Sequence, residues 1–165
     1  MADLTLPVVA HRNAEHYLGI AAKVAFSDLE AALPLHFDEL FAWFEAKKLE
    51  PGIAFTRYNV IDMAGTLDLE FCFTTAEALE GDDRVRAGSV PAGDYGMTRL
   101  TGSVDEVFDA TAVLVGWAKE RGVEWDAHDS LEGHAFASRV ERYLSDPEVE
   151  TDPTAWRFEI AIKTR

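Results

Sequence analysis

The chain predicts an α+β fold made of two strand–helix–strand–strand halves related by a pseudo-two-fold axis. Three observations carry this. Apolar residues recur at helical spacing in two stretches, Ser27–Phe44 and Ser103–Ala118. Elsewhere, short runs alternate apolar with polar between turns rich in Gly, Pro and Asp. The order of elements in residues 4–76 then recurs in residues 84–165.

Strands are expected over Leu4–Ala10 and Tyr17–Phe26. Ser27 follows as an N-cap, with Glu30 three residues on, the pattern of a capping box. Leu33, Phe37, Leu40, Phe41 and Phe44 form one helical face, and Pro51-Gly52 ends the element. Pro34 leaves a second start open, because proline suits the first helical turn. Ala54–Asp62 and Leu67–Thr75 read as a hairpin turning at Ala64-Gly65. After the polar turn Glu80-Gly-Asp-Asp83 come strands over Arg84–Val90 and Asp94–Leu100, joined by Pro91-Ala-Gly93. Ser103 and Glu106 form a second capping-box pattern. Val104, Val107, Phe108, Thr111, Leu114, Val115 and Ala118 share the face of the second helix, which Gly122 stops. Val123–Gly133 is polar and reads as irregular. Phe136–Leu144 and Trp156–Thr164 are the last strands, with Asp146-Pro147 and Asp152-Pro153 between them.

The halves share a local likeness. Leu67-Asp-Leu-Glu70-Phe-Cys-Phe-Thr-Thr75 can be laid on Trp156-Arg-Phe-Glu159-Ile-Ala-Ile-Lys-Thr164, so that apolar positions match and Glu70 falls on Glu159. A duplication of this kind makes the cleft between the halves the natural ligand site.

At 165 residues, 48% hydrophobic and 27% charged, the chain suits one folded domain, here read as residues 1–165. A formal charge of −15 disfavours direct contact with a nucleic-acid backbone and favours cationic ligands or a basic protein surface. Cys72 is the single cysteine, so neither an intrachain disulfide nor a cysteine zinc site is expected. The first residues lack the pattern of a signal peptide, and no apolar run is long enough to span a membrane, so a cytoplasmic protein is expected. The histidine pairs His11/His16 and His128/His134 lack metal-ligand spacing, and no metal or cofactor is expected.

Chemistry is sought first at Glu141, a carboxylate inside the apolar, aromatic run Phe136–Leu144. Burying it without a partner costs several kcal/mol. Strand alternation puts Ala137, Arg139, Glu141 and Tyr143 on one face and Phe136, Val140 and Leu144 on the other. Glu141 is therefore expected outside the main apolar layer. Tyr17, Trp43, Tyr58, Tyr95, Trp125 and Tyr143 are the candidate ring contacts of a pocket, with Trp125 as a lid. Rings and an acid suit flat, apolar, cationic molecules through stacking and cation–π attraction. A buried glutamate has a raised pKa and can also act as a general acid or base, with Tyr58 or Tyr143 as hydroxyl partner.

Several pieces resemble one family. Ser89-Val-Pro-Ala-Gly-Asp-Tyr95 resembles the L-P-A-G-x-Y turn of GyrI-like effector-binding domains. Glu141-Arg-Tyr-Leu-Ser-Asp-Pro147 resembles their E-x-Y-L-x-D-P signature. Arg157–Ile162 and Leu67–Phe73 resemble the closing strands of their two halves. The chain departs from the family at Leu100–Val104, which keeps the glycine of H-x-G-x-Y alone, and at Thr74 and Lys163, where strand-ending prolines are expected. The resemblance implies one curved antiparallel sheet with two main helices, a ligand-facing acid at Glu141 and a turn tyrosine at Tyr95. It implies a stand-alone small-molecule binder, with no helix-turn-helix module among these residues. Two alternatives stay open. One is a hydrolase of cyclopropane-bearing genotoxins using Glu141 and Tyr58. The other is a module that binds a protein such as gyrase. A homodimer is compatible with all three.

Overall fold

The structure, a computed structural model, describes residues 2–62 and 64–165. Eleven strands among them form one curved antiparallel sheet: β1 (Asp3–Leu4), β2 (Val8–Arg12), β3 (Glu15–Ala25), β4 (Ala54–Asp62), β5 (Thr66–Thr75), β6 (Arg86–Val90), β7 (Gly93–Gly102), β8 (Ala127–Ser130), β9 (Gly133–Phe136), β10 (Arg139–Tyr143) and β11 (Trp156–Lys163). Two helices complete the fold, α1 (Leu29–Lys47) and α2 (Val107–Arg121). The spatial order is β1-β7-β11-β10-β4-β5-β3-β6; β2 also pairs with β7, and the β8–β9 hairpin extends β4. Among the described residues, no helix is long and apolar enough to cross a membrane.

The expected α+β duplication is present, and the register makes it quantitative. Glu70 and Glu159 occupy matching places on β5 and β11. On β4, Thr56 pairs with Phe71; on β10, Glu141 pairs with Ile160. Since Phe71 matches Ile160, Thr56 matches Glu141. The two are also paired with each other where β4 meets β10, so the pseudo-two-fold axis passes through that pair. By the same register Tyr58, opposite Leu69, matches Tyr143, opposite Phe158.

Each helix covers its own half. Leu40 and Phe44 of α1 pack on Leu18, Ile20 and Phe73. Val107, Ala110 and Leu114 of α2 pack on Leu100, Phe158, Ile160 and Ile162. The principal helix contacts fall on β3, β5, β7 and β11, which leaves the central β4–β10 pair less covered. The opposite face holds a second core of Tyr17, Phe55, Cys72, Val90, Tyr95, Val140 and Ala161.

The local expectations divide. The first strand is split, because Pro7 lacks the N–H that the ladder along β7 needs. At the first helix Ser27 makes no capping bond; a 3₁₀ turn over Phe26–Asp28 leads into α1 at Leu29. Pro34 lies within α1, where its missing N–H deprives only the Glu30 carbonyl of a helical partner. At the second helix the Glu106 carboxylate does accept the Ser103 N–H, at 2.8 Å. Gly122 closes that helix in the left-handed region, φ 69°. Phe41, Phe108 and Val115, expected on buried stripes, are exposed. The supposedly irregular Val123–Gly133 segment contains β8 and the start of β9, a polar hairpin whose composition hides its alternation. The expected strand Phe136–Leu144 is interrupted at Ala137-Ser138, opposite a bulge at Asn59.

The face opposite the helices also buries charge. Glu159 is 1% exposed and takes guanidinium groups from Arg12 and from Arg99, the latter at 3.0 Å. Arg142, 2% exposed, lies 3.6 Å from Glu159 and donates to Glu15 at 2.6 Å. Removing one member of such a network strands the others without a counter-ion, at a cost of about 3–5 kcal/mol. Glu159→Gln is therefore expected to lower stability by about that amount in urea titrations. A loss below about 1 kcal/mol would show that Glu15 and solvent suffice for the arginines.

Candidate functional site

Glu141 lies on the floor of the sheet at the pseudo-axis. Its face is the helix-covered one, contrary to the expectation that it would lie outside the main apolar layer. Tyr143, on the same face of β10, sets edge-on against Phe37 of α1 at 5.7 Å and Phe158 of β11 at 6.1 Å. Both faces of the curved sheet carry apolar cores, so opposing Val140 does not move Glu141 to a wet side.

Two phenols hold the carboxylate. Tyr143 donates to Oε1 at 3.0 Å and Tyr58 to Oε2 at 3.2 Å. Thr56 Oγ1 lies 2.7 Å from the Tyr143 oxygen. Tyr143 has a single proton, committed to Glu141, so Thr56 donates to Tyr143 and the chain runs Thr56–Tyr143–Glu141. The two phenols that grip Glu141 are thus pseudo-symmetry mates. The axis itself pairs a threonine with the glutamate, so the duplication is broken where the charge sits.

Burial pushes the Glu141 carboxyl above its ordinary value of 4.5, although both tyrosines and Arg139 favour the charged form. Burial, then the neighbouring carboxylate, push the hydroxyls of Tyr58 and Tyr143 well above their usual range, so both stay protonated donors. Glu141 is crowded by protein yet keeps some solvent exposure, the condition of a group at the bottom of a concavity.

Beside it opens a cleft of about 350 Å³. Leu33, Pro34 and Phe37 of α1 form one wall, Trp156 and Phe158 another, and Val104 approaches from the start of the second helical segment. Tyr143 is shared between this cleft and the Glu141 cluster. Phe41 follows Phe37 by one turn, and Phe108 follows Val104 likewise, so helical periodicity continues the cleft flanks through these exposed rings. Among the described residues no cluster of His, Cys, Asp and Glu could hold a metal ion.

The structure brings three of the expected site residues together: Tyr58, Glu141 and Tyr143. Tyr17 and Tyr95 lie on the opposite face, in the second core. There the Tyr17 hydroxyl donates to Glu70 at 2.9 Å and that of Tyr95 to the Pro91 carbonyl at 2.6 Å. Trp43 sits on α1 with its indole N–H donated to Asp82 at 2.8 Å. Trp125, expected as a lid, bridges to Thr164 and packs with the α2 core. Its ring lies where a side chain at Gly96 would stand, 2.7 Å from that glycine's Cβ position. Sequence reasoning passed over Thr56, which only the strand register reveals, and Phe37, read as core alone. It also passed over Arg139 as a site residue, although its place two residues before Glu141 on the same strand face was visible.

A family model described as the GyrI-like small molecule binding domain matches residues 7–165. The chain belongs to this family. Among solved structures, this GyrI-like domain resembles the EcmrR C-terminal domain, with 18% identity, TM-score 0.70 and 97% of each chain covered. In a cryo-EM structure of an EcmrR–DNA complex it matches with TM-score 0.71 at 18% identity, covering 97% of this chain but 57% of the longer one. A hydrolase from Listeria innocua matches with TM-score 0.61 at 13% identity, over 96% of this chain and 91% of that one. SAV2435 bound to tetraphenylphosphonium matches with TM-score 0.60 at 10% identity, over 98% and 94%. At these identities the likeness is one of fold. No curated protein matches the chain.

The raised Glu141 pKa has a stability consequence. Above its unfolded value, near 4.5, the folded state holds the proton more tightly than the unfolded state does. The stabilising effect of that proton is complete below about 4.5 and is lost as pH rises through the folded pKa. Glu141→Gln is therefore expected to melt higher than the native chain at pH 7, with the difference shrinking below pH ~4.5. Melting curves by circular dichroism across this range check it; a variant that melts lower at pH 7 would mean that the tyrosine bonds outweigh burial.

Proposed function

We propose that this GyrI-like domain is a receptor for a flat, aromatic or amphipathic small molecule with a cationic group, and that Glu141 is its acidic anchor. The observation that carries the reading is the Glu141 carboxylate held by two neutral phenols, one of which, Tyr143, also lines the neighbouring apolar cleft. Neutral donors hold the anion in place without cancelling its charge. Its field therefore acts on a ligand cation in surroundings where water screens poorly. Phe37, Trp156 and Phe158 supply the apolar and ring contacts. The tetraphenylphosphonium held by SAV2435 is a cation of this chemistry, with apolar rings and no hydrogen-bond donor.

Tetraphenylphosphonium is accordingly the first probe. Calorimetry is expected to show binding by the native chain, weakened on the order of tenfold in Glu141→Gln. Equal affinity in the two proteins would remove Glu141 as anchor, and no binding by either would remove the cleft as a site for lipophilic cations.

A second reading has its own support. The burial-raised pKa of Glu141, beside Tyr58, suits a general base acting on water near an electrophile. In an activated cyclopropane, water would attack a ring carbon and pass its proton to Glu141. The breaking C–C pair would move into the conjugated carbonyl; Tyr58, released as Glu141 takes the proton, would donate to the developing charge, and solvent would supply the proton that completes the hydrate. Incubation with a cyclopropane-bearing alkylator checks this: ring-opened hydrate should form with the native chain and be lost in Glu141→Gln. Product at the uncatalysed rate in both would leave binding alone.

A further inference from the structure

Arg139 stands two residues before Glu141 on the same face of β10, ~7 Å along the strand. Its guanidinium carbon lies 5.0 Å from the Phe136 ring centre and 5.7 Å from that of Tyr58. The interruption at Ala137-Ser138, opposite the Asn59 bulge, brings the end of β9 and the start of β10 together around it. Bulges of this kind re-aim side chains. The rings hold the guanidinium in position through cation–π contacts, which engage the π-face and leave its in-plane N–H groups to other acceptors.

Those N–H groups have none among the described residues. Among the described residues Arg139 makes no hydrogen bond and no ion pair within 4.0 Å. The other arginines of the sheet differ. Arg57 donates to Tyr17, Ser89 and Ala137, and Arg142 is locked to Glu15 and Glu159. The Nε atoms of Arg57 and Arg142 are sealed from solvent, whereas no nitrogen of Arg139 is both sealed and unpartnered. A half-buried planar cation, fixed by two rings with its donors reachable, is laid out to receive a planar anion. Tyr58 joins the two charges, since its ring supports Arg139 and its hydroxyl supports Glu141.

We propose that Arg139 is a second ligand anchor, so that the site selects amphoteric aromatic molecules: a cationic or donor group toward Glu141 and a carboxylate or comparable acceptor toward Arg139. This rests on the reading of Glu141, beside the cleft, as a ligand anchor and narrows the ligand from cations to zwitterions.

Two dyes with one skeleton test it: rhodamine 110, a zwitterion with a free carboxylate, and rhodamine 123, its cationic methyl ester. Fluorescence anisotropy with the native chain is expected to show rhodamine 110 bound on the order of tenfold more tightly. Arg139→Gln should bring the ratio to about one, weakening rhodamine 110 and leaving rhodamine 123 within about twofold. Arg139→Lys, which keeps the charge but loses the planar fork, should retain part of the preference, and serves alone if Arg139→Gln does not fold. Equal binding of the dyes by the native chain would overturn the assignment, as would a ratio unchanged in both variants. If tetraphenylphosphonium binds through Glu141 while the dyes are not distinguished, Arg139 alone is ruled out. If none of the three probes binds, both readings fall.

Discussion

A carboxylate in a floor of rings needs donors, and the rest of the site depends on how this chain supplies them. Glu141 stands where β4 and β10 meet, the strand pair through which the pseudo-axis passes. Duplication puts a tyrosine on each side of that point, Tyr58 from the first half and Tyr143 from the second. One half alone could offer only one of them. The helices, each tied to the outer strands of its own half, leave the central pair accessible. Glu141, its donors and the neighbouring cleft thus share one origin in the doubled fold.

The sheet handles its buried acids in two ways. Glu159 is ringed by Arg12, Arg99 and Arg142, and direct pairing cancels its charge locally. Its match in the first half, Glu70, takes the Tyr17 hydroxyl and the Asn59 amide, each at 2.9 Å. Both face away from the helices and belong to the framework. Glu141 faces the helices and has only phenols in direct contact, with Arg139 outside pairing distance. Burial then raises its pKa, a cost to stability that a purely structural residue has no reason to carry. This contrast supports the proposal that the acid at the axis serves ligand binding while the outer two belong to the framework.

Much of this was legible in the residues. The Glu70–Glu159 match and the repeated element order foretold the duplication, and Ser103 with Glu106 marked the second helix. The family resemblance and the strand setting both singled out Glu141, and alternation placed Tyr143 and Arg139 beside it. Facing was harder to read. Tyr17 and Tyr95 are pseudo-symmetry mates as surely as Tyr58 and Tyr143, but they point to the other core, and composition cannot distinguish the two pairs. Phe41, Phe108 and Val115 obey helical periodicity, which marks an apolar flank without saying whether protein or open cleft lies against it. The hairpin of β8 and β9 is too polar to show its alternation, so the partner switch that leaves Arg139 between two rings lay hidden as well.

If the Glu141 carboxylate answers the ligand's positive charge, its own titration must respond to binding. Carbon-13 NMR of the glutamate side chains, titrated with pH in the absence and presence of saturating tetraphenylphosphonium, measures this at the atom concerned. A cation beside Glu141 favours its charged form, so its pKa should fall on binding while those of exposed glutamates stay fixed. Saturation that leaves the Glu141 titration unmoved would place the ligand elsewhere and contradict the account.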